Sequence, residues 1–322
     1  KIKTLSIGRL SATKVAVCYI GSIVNHDLLN NLMQRLNQID IDAVLDSNYL
    51  TELIRGHRYS IFRTIGYTER PDAVIGKILE GRIAIFVEGS PTVLTLPYLF
   101  IENFQSSEDY YLSFYYTSFA RILRILAFIL TVIIPGLYIS VVAFNQEIIP
   151  TPLLINVAMD RRSVPLPASI EAYIMLVVFD LLRETGIRMP SNIGQALSIV
   201  GALVIGQAAV DAKLVASPMI IVVALIGITG LLVPKLNAPI IYIRFFLLTL
   251  ASLLGFFGLF IGISVILIHI LSLRSFGVSQ IDQSMTFKYQ DAKDIFIRAP
   301  WWSMITRPKH MTPNKVRQIV GE

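Results

Sequence analysis

Charged residues are scarce in this chain. Asp, Glu, Lys and Arg make up 16% of its 322 residues, whereas an ordinary globular protein has about 25%. The deficit is concentrated between Ile125 and Leu273, where 13 of 149 residues are charged, while the other 173 residues carry 37 charges. This distribution excludes an ordinary soluble protein and indicates a membrane block between two soluble flanks.

Cysteine is almost absent, since Cys18 is the only one, and a single cysteine excludes an internal disulfide framework. Cys18 lies in an apolar run, which favours a buried thiol. The chain also lacks an initiator methionine and an N-terminal signal pattern, because Lys1 opens directly into sequence that looks structured. We therefore expect the natural protein to begin before Lys1.

The motifs of enzymes and metal sites are missing as well. The chain has no Gly-rich phosphate loop, no HExxH, no nucleophile elbow and no Cys/His ligand spacing. The sequence therefore predicts a protein that is not an enzyme and has no metal or cofactor. The net charge of +6 comes mostly from the residues after Leu273, with eight basic and four acidic side chains. No basic patch interleaved with stacking aromatics occurs elsewhere, so we expect no nucleic-acid partner.

The front of the chain, residues 1–120, alternates strand and helix patterns. Residues 13–20 are β-rich and apolar, and Asn25 and Asp27 follow as caps of a helix with leucines at helical spacing. Further helices are predicted from Ser47 and from Pro71, and two strands around residues 88–91. We expect a small N-terminal α/β cytosolic domain that is incomplete at its start.

The apolar block, residues 121–273, is predicted to be an α-helical polytopic transmembrane domain. Four uncharged stretches are long enough to cross roughly 30 Å of hydrocarbon; they are Ile125–Phe144, Met189–Val210, Leu214–Val233 and Phe245–Leu273. Arg121, Arg124 and the basic cytosolic tail, residues 274–322, favour cytosolic termini and hence an even number of crossings. Four spans are preferred to five, although Lys235 and Arg244 would then lie outside.

Residues 148–182 form a re-entrant or amphipathic segment in this interpretation, because the first apolar run there is short and contains two prolines. Glu171 and Asp180 lie within the longer run that follows. A lipid-facing carboxylate is costly, so each should face protein, water or a pore. Glu171 is the preferred pore residue, because its nearest cation in sequence is nine residues away, whereas Asp180 has Arg183 one turn on.

Small residues recur at helical spacing in two of the predicted spans and favour tight helix packing. The ridges consist of Gly194, Ser198, Ala202 and Gly206 in one span and of Ala251, Gly255, Gly258 and Gly262 in the other. Gln195 and Gln207 are polar groups that need partners in a bilayer. They either bond across helices or touch permeating water, and with Glu171 and Asp180 they are the candidates for a pore or gate.

Several short sequence motifs resemble those of a known family. They are residues 69–72 (ERPD), 81–85 (GRIAI), 101–106 (IENFQS), 183–190 (RETGIRMP), 193–196 (IGQA), 204–210 (VIGQAAV) and 298–302 (RAPWW). In this order, from about Tyr67 to Arg317, they resemble the GerA family of spore germination proteins, specifically the A subunit of the nutrient germinant receptor.

The resemblance implies an integral protein of the endospore inner membrane that works with a transporter-like B subunit and a lipoprotein C subunit. It also implies that copies of the chain form a homo-oligomer within membrane lipid, a gated ion channel that releases ions from the spore core. A non-conducting scaffold of the receptor complex and the A-like paralogue of the dipicolinic acid release system remain alternatives. A small transporter is a third possibility.

Overall fold

The computed structural model describes residues 1–188, 201, 204–281, 294–307, 312 and 316–317. The chain divides into two compact units, of which the first combines Lys1–Leu123 with Ile268–Glu322 and the second is Arg124–Leu267. The described residues of the tail contact the front domain through hydrogen bonds and ring contacts.

The first unit is built on a five-stranded antiparallel sheet with the order β1-β2-β4-β5-β3. The strands are β1 Ile2–Ile7, β2 Thr13–Cys18, β3 Gly66–Thr68, β4 Ile83–Val87 and β5 Val93–Leu96. Three helices accompany the sheet: α1 His26–Asn37, α2 Ser47–Ile54 and α3 Pro71–Leu79. The predicted α/β domain is confirmed, whereas β1 and β3 were not predicted.

The core of this domain follows from the alternation of β2 and the leucine spacing of α1. Val15 and Val17 point to the buried side of the sheet, and Leu29, Leu32 and Leu36 of α1 are buried in the same cluster. Each such side chain stabilises the fold by about 1.5–3 kcal/mol relative to an exposed one. Asn25 caps α1 as expected, because its side chain accepts a hydrogen bond from the backbone N–H of Asp27.

The second unit is helical. Helix α4, Phe114–Ile139, begins in the first unit and continues through a π-helical turn, Ser140–Phe144. It is followed by α5 Thr151–Arg162, α6 Ala168–Arg188, α7 Ser217–Leu231 and α8 Asn237–Ser272. Residues 204–211 are also helical. Apolar side chains from α4, α6, α7 and α8 share one buried cluster.

Helix α8 reverses direction at Gly255, which has a φ of +61° and a non-helical backbone. A Cβ built on Gly262 would lie 2.5 Å from Cδ2 of Leu247, and one on Gly258 would lie 2.1 Å from the carbonyl oxygen of Leu250. In a straight helix, residues 247 and 262 are roughly 22 Å apart along the axis. The two arms of α8 are therefore antiparallel, and glycines let their backbones meet.

Two helical segments of the described chain are long and apolar enough to cross a membrane, Phe114–Phe144 and Pro234–Ser272. They contain the first and fourth predicted spans, but the four predicted crossings are not confirmed. The third predicted span, residues 214–233, forms only the 15-residue helix α7. Most of the second, residues 189–210, lies outside the described residues. The fourth is folded on itself at Gly255, because its glycines allow a chain reversal that a hydropathy pattern does not register.

Candidate functional site

Glu171, the preferred pore residue, is fully buried in the second unit with an exposed fraction of 0%. It lies in the first turn of α6. Its Oε2 accepts a hydrogen bond from Nη1 of Arg161 at 2.9 Å, and its Oε1 accepts one from the backbone N–H of Ala216 at 2.7 Å. Arg161 belongs to the last turn of α5, and Ala216 is the residue that precedes α7. One carboxylate therefore joins three helices.

Asp180 occupies a different position on α6 and has a different partner. Its Oδ2 accepts a hydrogen bond from Nη2 of Arg244 at 2.5 Å. Arg244 lies in the first arm of α8 and is among the largest fully buried side chains. The sequence offered Arg183, one turn on, as the nearest cation, and the tertiary fold brings Arg244 to the carboxylate as its ion-pair partner.

The structure also changes the interpretation of two cations. The sequence suggested that Glu171 has no near cation, but Arg161, ten residues earlier, forms an ion pair with it. Arg244, which the four-span topology places on the outer side of the membrane, is a buried side chain of α8. Glu171 and Asp180 thus have separate partners on separate helices.

The remaining predicted site residues have the following positions. Gln207 is exposed on the helical segment 204–211, and Gly206 is buried on the same segment. Gly255, Gly258 and Gly262 lie at the reversal and the arm contacts of α8. Gly194, Gln195, Ser198 and Ala202 lie outside the described residues. The pore role of all four polar candidates stays a prediction.

No group of three or more His, Cys, Asp or Glu side chains within the described ranges is placed to hold a metal ion. Several buried ionisable groups of the described chain form ion pairs instead. In the second unit, these pairs are the contacts of Glu171 with Arg161 and of Asp180 with Arg244. These ion pairs can hold neighbouring helices together, because breaking a pair leaves an uncompensated buried charge.

The first unit contains a charged cluster that the sequence did not predict. Glu102 is buried, forms an ion pair with Arg82 and has Nζ of Lys77 at 2.9 Å from its Oε2. Burial raises the pKa of Glu102, but attraction to Arg82 and Lys77 outweighs this effect and holds the pKa at about 2. Arg82 and Glu102 belong to two of the family motifs quoted above. Their place in these motifs was the signal in the sequence that could have indicated the cluster.

A second cluster surrounds Arg121, which is fully buried on α4. Its Nε donates to Oδ2 of Asp109 at 3.1 Å and its Nη1 donates to Oδ1 of Asp294 at 2.8 Å. Tyr110 also donates its hydroxyl to Asp294 at 2.7 Å. The sequence offered Arg121 as a basic residue that favours cytosolic termini, so its burial between two carboxylates was not foreseen.

The tail motif RAPWW, residues 298–302, contacts the start of α4. Nη1 of Arg298 donates to the carbonyl of Leu112 at 2.6 Å, and the backbone N–H of Arg298 donates to Oγ of Ser118 at 3.1 Å. The rings of Trp302 and Phe114 are edge to face with centroids 5.9 Å apart. Residues 298–302 of the tail are thus fixed to residues 112–118 of the first unit.

A family model described as Bacillus/Clostridium GerA spore germination protein matches residues 1–310. The chain belongs to the GerA family of spore germination proteins. The match covers both units of this GerA-family chain, including Glu171, Asp180 and the clusters around Glu102 and Arg121. This match confirms the resemblance that was inferred from the sequence motifs.

Two curated relatives from Bacillus subtilis (strain 168) illustrate the similarity. Spore germination protein KA is 43% identical over 98% of this chain and 59% of its own length. A protein named uncharacterized membrane protein YfkQ is 42% identical over 96% of this chain and 60% of its own length. The GerA-family chain therefore spans about three fifths of the length of these relatives.

A solved structure also resembles part of the GerA-family chain. It is the N-terminal domain of the A subunit of the Bacillus megaterium spore germinant receptor GerK3. The aligned residues are 45% identical, cover 31% of this chain and 79% of that chain, and give a TM-score of 0.25.

Proposed function

We propose that this GerA-family chain is the membrane A subunit of a nutrient germinant receptor and that copies of it form a gated ion channel. The channel lies in the inner membrane of the endospore and releases ions from the spore core. A transporter-like B subunit binds the nutrient, and a lipoprotein C subunit completes the receptor. Both termini of the chain face the cytosol.

The observation that carries this proposal is the burial of Glu171 between Arg161 and the backbone N–H of Ala216. A carboxylate inside an apolar helical unit is costly, and such groups mark ion pathways or their gates. With both oxygens of Glu171 bonded, the segment from α5 to α7 is held in one arrangement. In this proposal that arrangement is the closed gate, and opening separates Arg161 from Glu171.

A second ion pair supports the same proposal. Asp180 and Arg244 connect the middle of α6 to the first arm of α8. The two pairs lie nine residues apart on α6, so they fix this helix at two points. In this proposal α6 has two discrete arrangements, paired and unpaired, which is what a gate requires.

The proposal of an oligomer rests on the number of helices. Two segments of the described chain are long and apolar enough to cross a bilayer, and the second is folded back at Gly255 into two arms. So few crossings do not enclose a water-filled path. Several copies arranged around a symmetry axis, the usual arrangement of soluble homo-oligomers, supply the missing walls.

A non-conducting scaffold is the second candidate function. It is favoured by the same contacts of Glu171 and Asp180, because carboxylates with internal partners also stabilise a static bundle. The A-like paralogue of the dipicolinic acid release system, which shares the family motifs, is a further alternative. Direct binding of nutrient to the purified chain would instead support a small transporter.

The decisive experiment is reconstitution of the chain into planar bilayers, alone and with its B and C partners, with nutrient added. The particle mass in nanodiscs is measured in parallel. We expect a particle that contains several copies and a conductance that requires nutrient and the B subunit. A monomeric particle contradicts the shared pore, and an oligomer without conductance in the complete receptor favours the scaffold.

A further inference from the structure

At the start of helix α4, the positions of the polar and apolar side chains are reversed relative to a helix at the surface of a soluble domain. Thr117 and Arg121, one turn apart, are buried, whereas Tyr115 is 77% exposed and Phe119 60% exposed on the opposite side. A surface helix in water places its apolar stripe inward and its charges outward. The outward side of α4 is therefore suited to an apolar or amphipathic environment.

The tail continues this exposed aromatic surface. Trp301 and Trp302 are 48% and 68% exposed, and their rings are near those of Tyr110 and Phe114. Arg298, by contrast, is buried and donates hydrogen bonds to the carbonyls of Leu112 and Tyr110. The charged residue of the segment thus anchors it while the indole rings remain outside.

We propose that Tyr115, Phe119, Trp301 and Trp302 form an aromatic collar that lies in the headgroup region of the lipid bilayer. The collar joins the tail and the first transmembrane helix at one membrane depth. This inference rests on the part of the proposed function that places the chain in a membrane.

The length of the apolar helix supports lipid as the occupant. The segment Phe114–Phe144 has 31 residues, which corresponds to roughly 46 Å at 1.5 Å per residue. The hydrocarbon core is about 30 Å thick. Its uncharged part begins at Ile125, so the turns that carry Tyr115 and Phe119 fall in the interfacial layer.

The chemistry of the collar also fits that layer. Tyr and Trp combine an apolar ring with one polar group, and they are enriched where hydrocarbon meets water. A polar rim lies beside the collar, since the hydroxyl of Tyr111 donates to Oδ2 of Asp72 at 2.6 Å and Arg70 pairs with the same carboxylate. Aromatic rings with charged groups next to them match the order of layers in a bilayer.

The test uses the intrinsic fluorescence of the chain, because its two tryptophans are both in the collar. The whole chain is reconstituted into phosphatidylcholine vesicles that contain lipid brominated near either the headgroup end or the methyl end of the acyl chains. We expect a larger loss of emission with the shallow bromines than with the deep ones. Acrylamide in the water should quench the protein less than it quenches free N-acetyltryptophanamide.

The variants W301F and W302F leave one tryptophan each and assign the signal. We expect the protein that retains Trp302, the more exposed ring, to lose more emission to shallow bromines than the protein that retains Trp301. The wild-type measurement does not depend on these variants, so a folding defect in either leaves the test valid.

Two results would overturn the collar. Equal loss from shallow and deep bromines together with full acrylamide quenching places the rings in water, and protection from both quenchers places them against a protein partner or a second copy. Resistance of the chain to extraction from the vesicles by alkaline carbonate is measured separately. A chain that is extracted contradicts both the collar and the proposed membrane function, whereas an inserted chain with either quenching result contradicts the collar alone.

Discussion

The guanidinium of Arg244 lies 2.5 Å from the carboxylate of Asp180, although 64 residues separate them in the sequence. Arg244 is fully buried, and the carboxylate is the ion-pair partner that the structure gives it. The pair joins α6 to the first arm of α8. Its loss should therefore cost more than the loss of an ion pair at the protein surface.

The substitution D180N keeps the shape of the side chain and removes its charge. We expect it to lower the free energy of unfolding by about 3 kcal/mol or more, because Arg244 then remains charged and buried without compensation. The double variant D180N/R244M should recover much of this loss. The measurement is unfolding of the detergent-solubilised chain.

The matched control for D180N is E184Q on the same helix. Glu184 forms an exposed pair with Arg188 one turn later, and such pairs contribute less than about 1 kcal/mol. Equal destabilisation by D180N and E184Q would show that the Asp180–Arg244 pair has no special role in stability.

A glycine contact in α8 leads to a second prediction. A Cβ on Gly258 would lie 2.1 Å from the carbonyl oxygen of Leu250, a backbone atom that cannot move away without displacing the arm. We expect G258A to lower the midpoint of thermal aggregation in detergent. G206A is the control, since a Cβ at Gly206 would meet its nearest neighbour, Ile220, at 3.6 Å. A normal midpoint for G258A would argue against the close approach of the two arms.

The reversal at Gly255 can be tested by disulfide formation. Cysteines at positions 247 and 262, in a chain with C18S, should form an intramolecular disulfide, because the side chain of Leu247 reaches the Cβ position of Gly262. The readout is the number of thiols that react with a maleimide mass tag after mild oxidation. A control pair at positions 253 and 267 should remain reduced, since both residues then lie far apart on their arms. Two reactive thiols in the 247/262 protein would indicate a continuous straight helix.

Features that depend on residues close together in the sequence could be predicted, whereas contacts between distant residues could not. Helix α1 was predicted because its leucine spacing and its Asn25 cap are local signals. The partners of Asp180 and Glu171 were not predicted, because Arg244 and Ala216 are brought to them by tertiary packing. In each case sequence proximity favoured a different interpretation.

The fold of α8 is a further example. The spacing of Gly255, Gly258 and Gly262 predicted close packing of helices. The uniform apolar composition of residues 245–273 gave no sign that the packing is between two arms of the same segment. A left-handed backbone at Gly255 is required for the reversal, and glycine adopts it with little cost.

The pKa of Glu102 predicts a pH dependence of stability. The folded pKa is about 2 and the ordinary value is 4.5, so the unfolded chain binds this proton first as the pH falls. The stabilisation is complete above about pH 4.5 and is lost as the pH falls toward 2, on the order of 3 kcal/mol in total. Chemical denaturation followed by tryptophan emission should show this loss in the wild type.

The variant E102Q provides the control for this effect. It is less stable at neutral pH, since Arg82 and Lys77 lose their carboxylate partner. Its stability should change less than that of the wild type between pH 4.5 and 2. An identical pH dependence in the two proteins would mean that another carboxyl group is responsible.

The central claim, that Glu171 controls a gate, is tested most directly by potassium release from spores. Spores with E171Q retain a side chain that can accept from Ala216 but lose the charge that holds Arg161, and R162Q on the adjacent, exposed residue serves as the control. We predict that E171Q spores release potassium without nutrient, or at a much lower nutrient concentration, while R162Q spores behave as the wild type. Unchanged release from E171Q spores with normal protein levels would contradict the account.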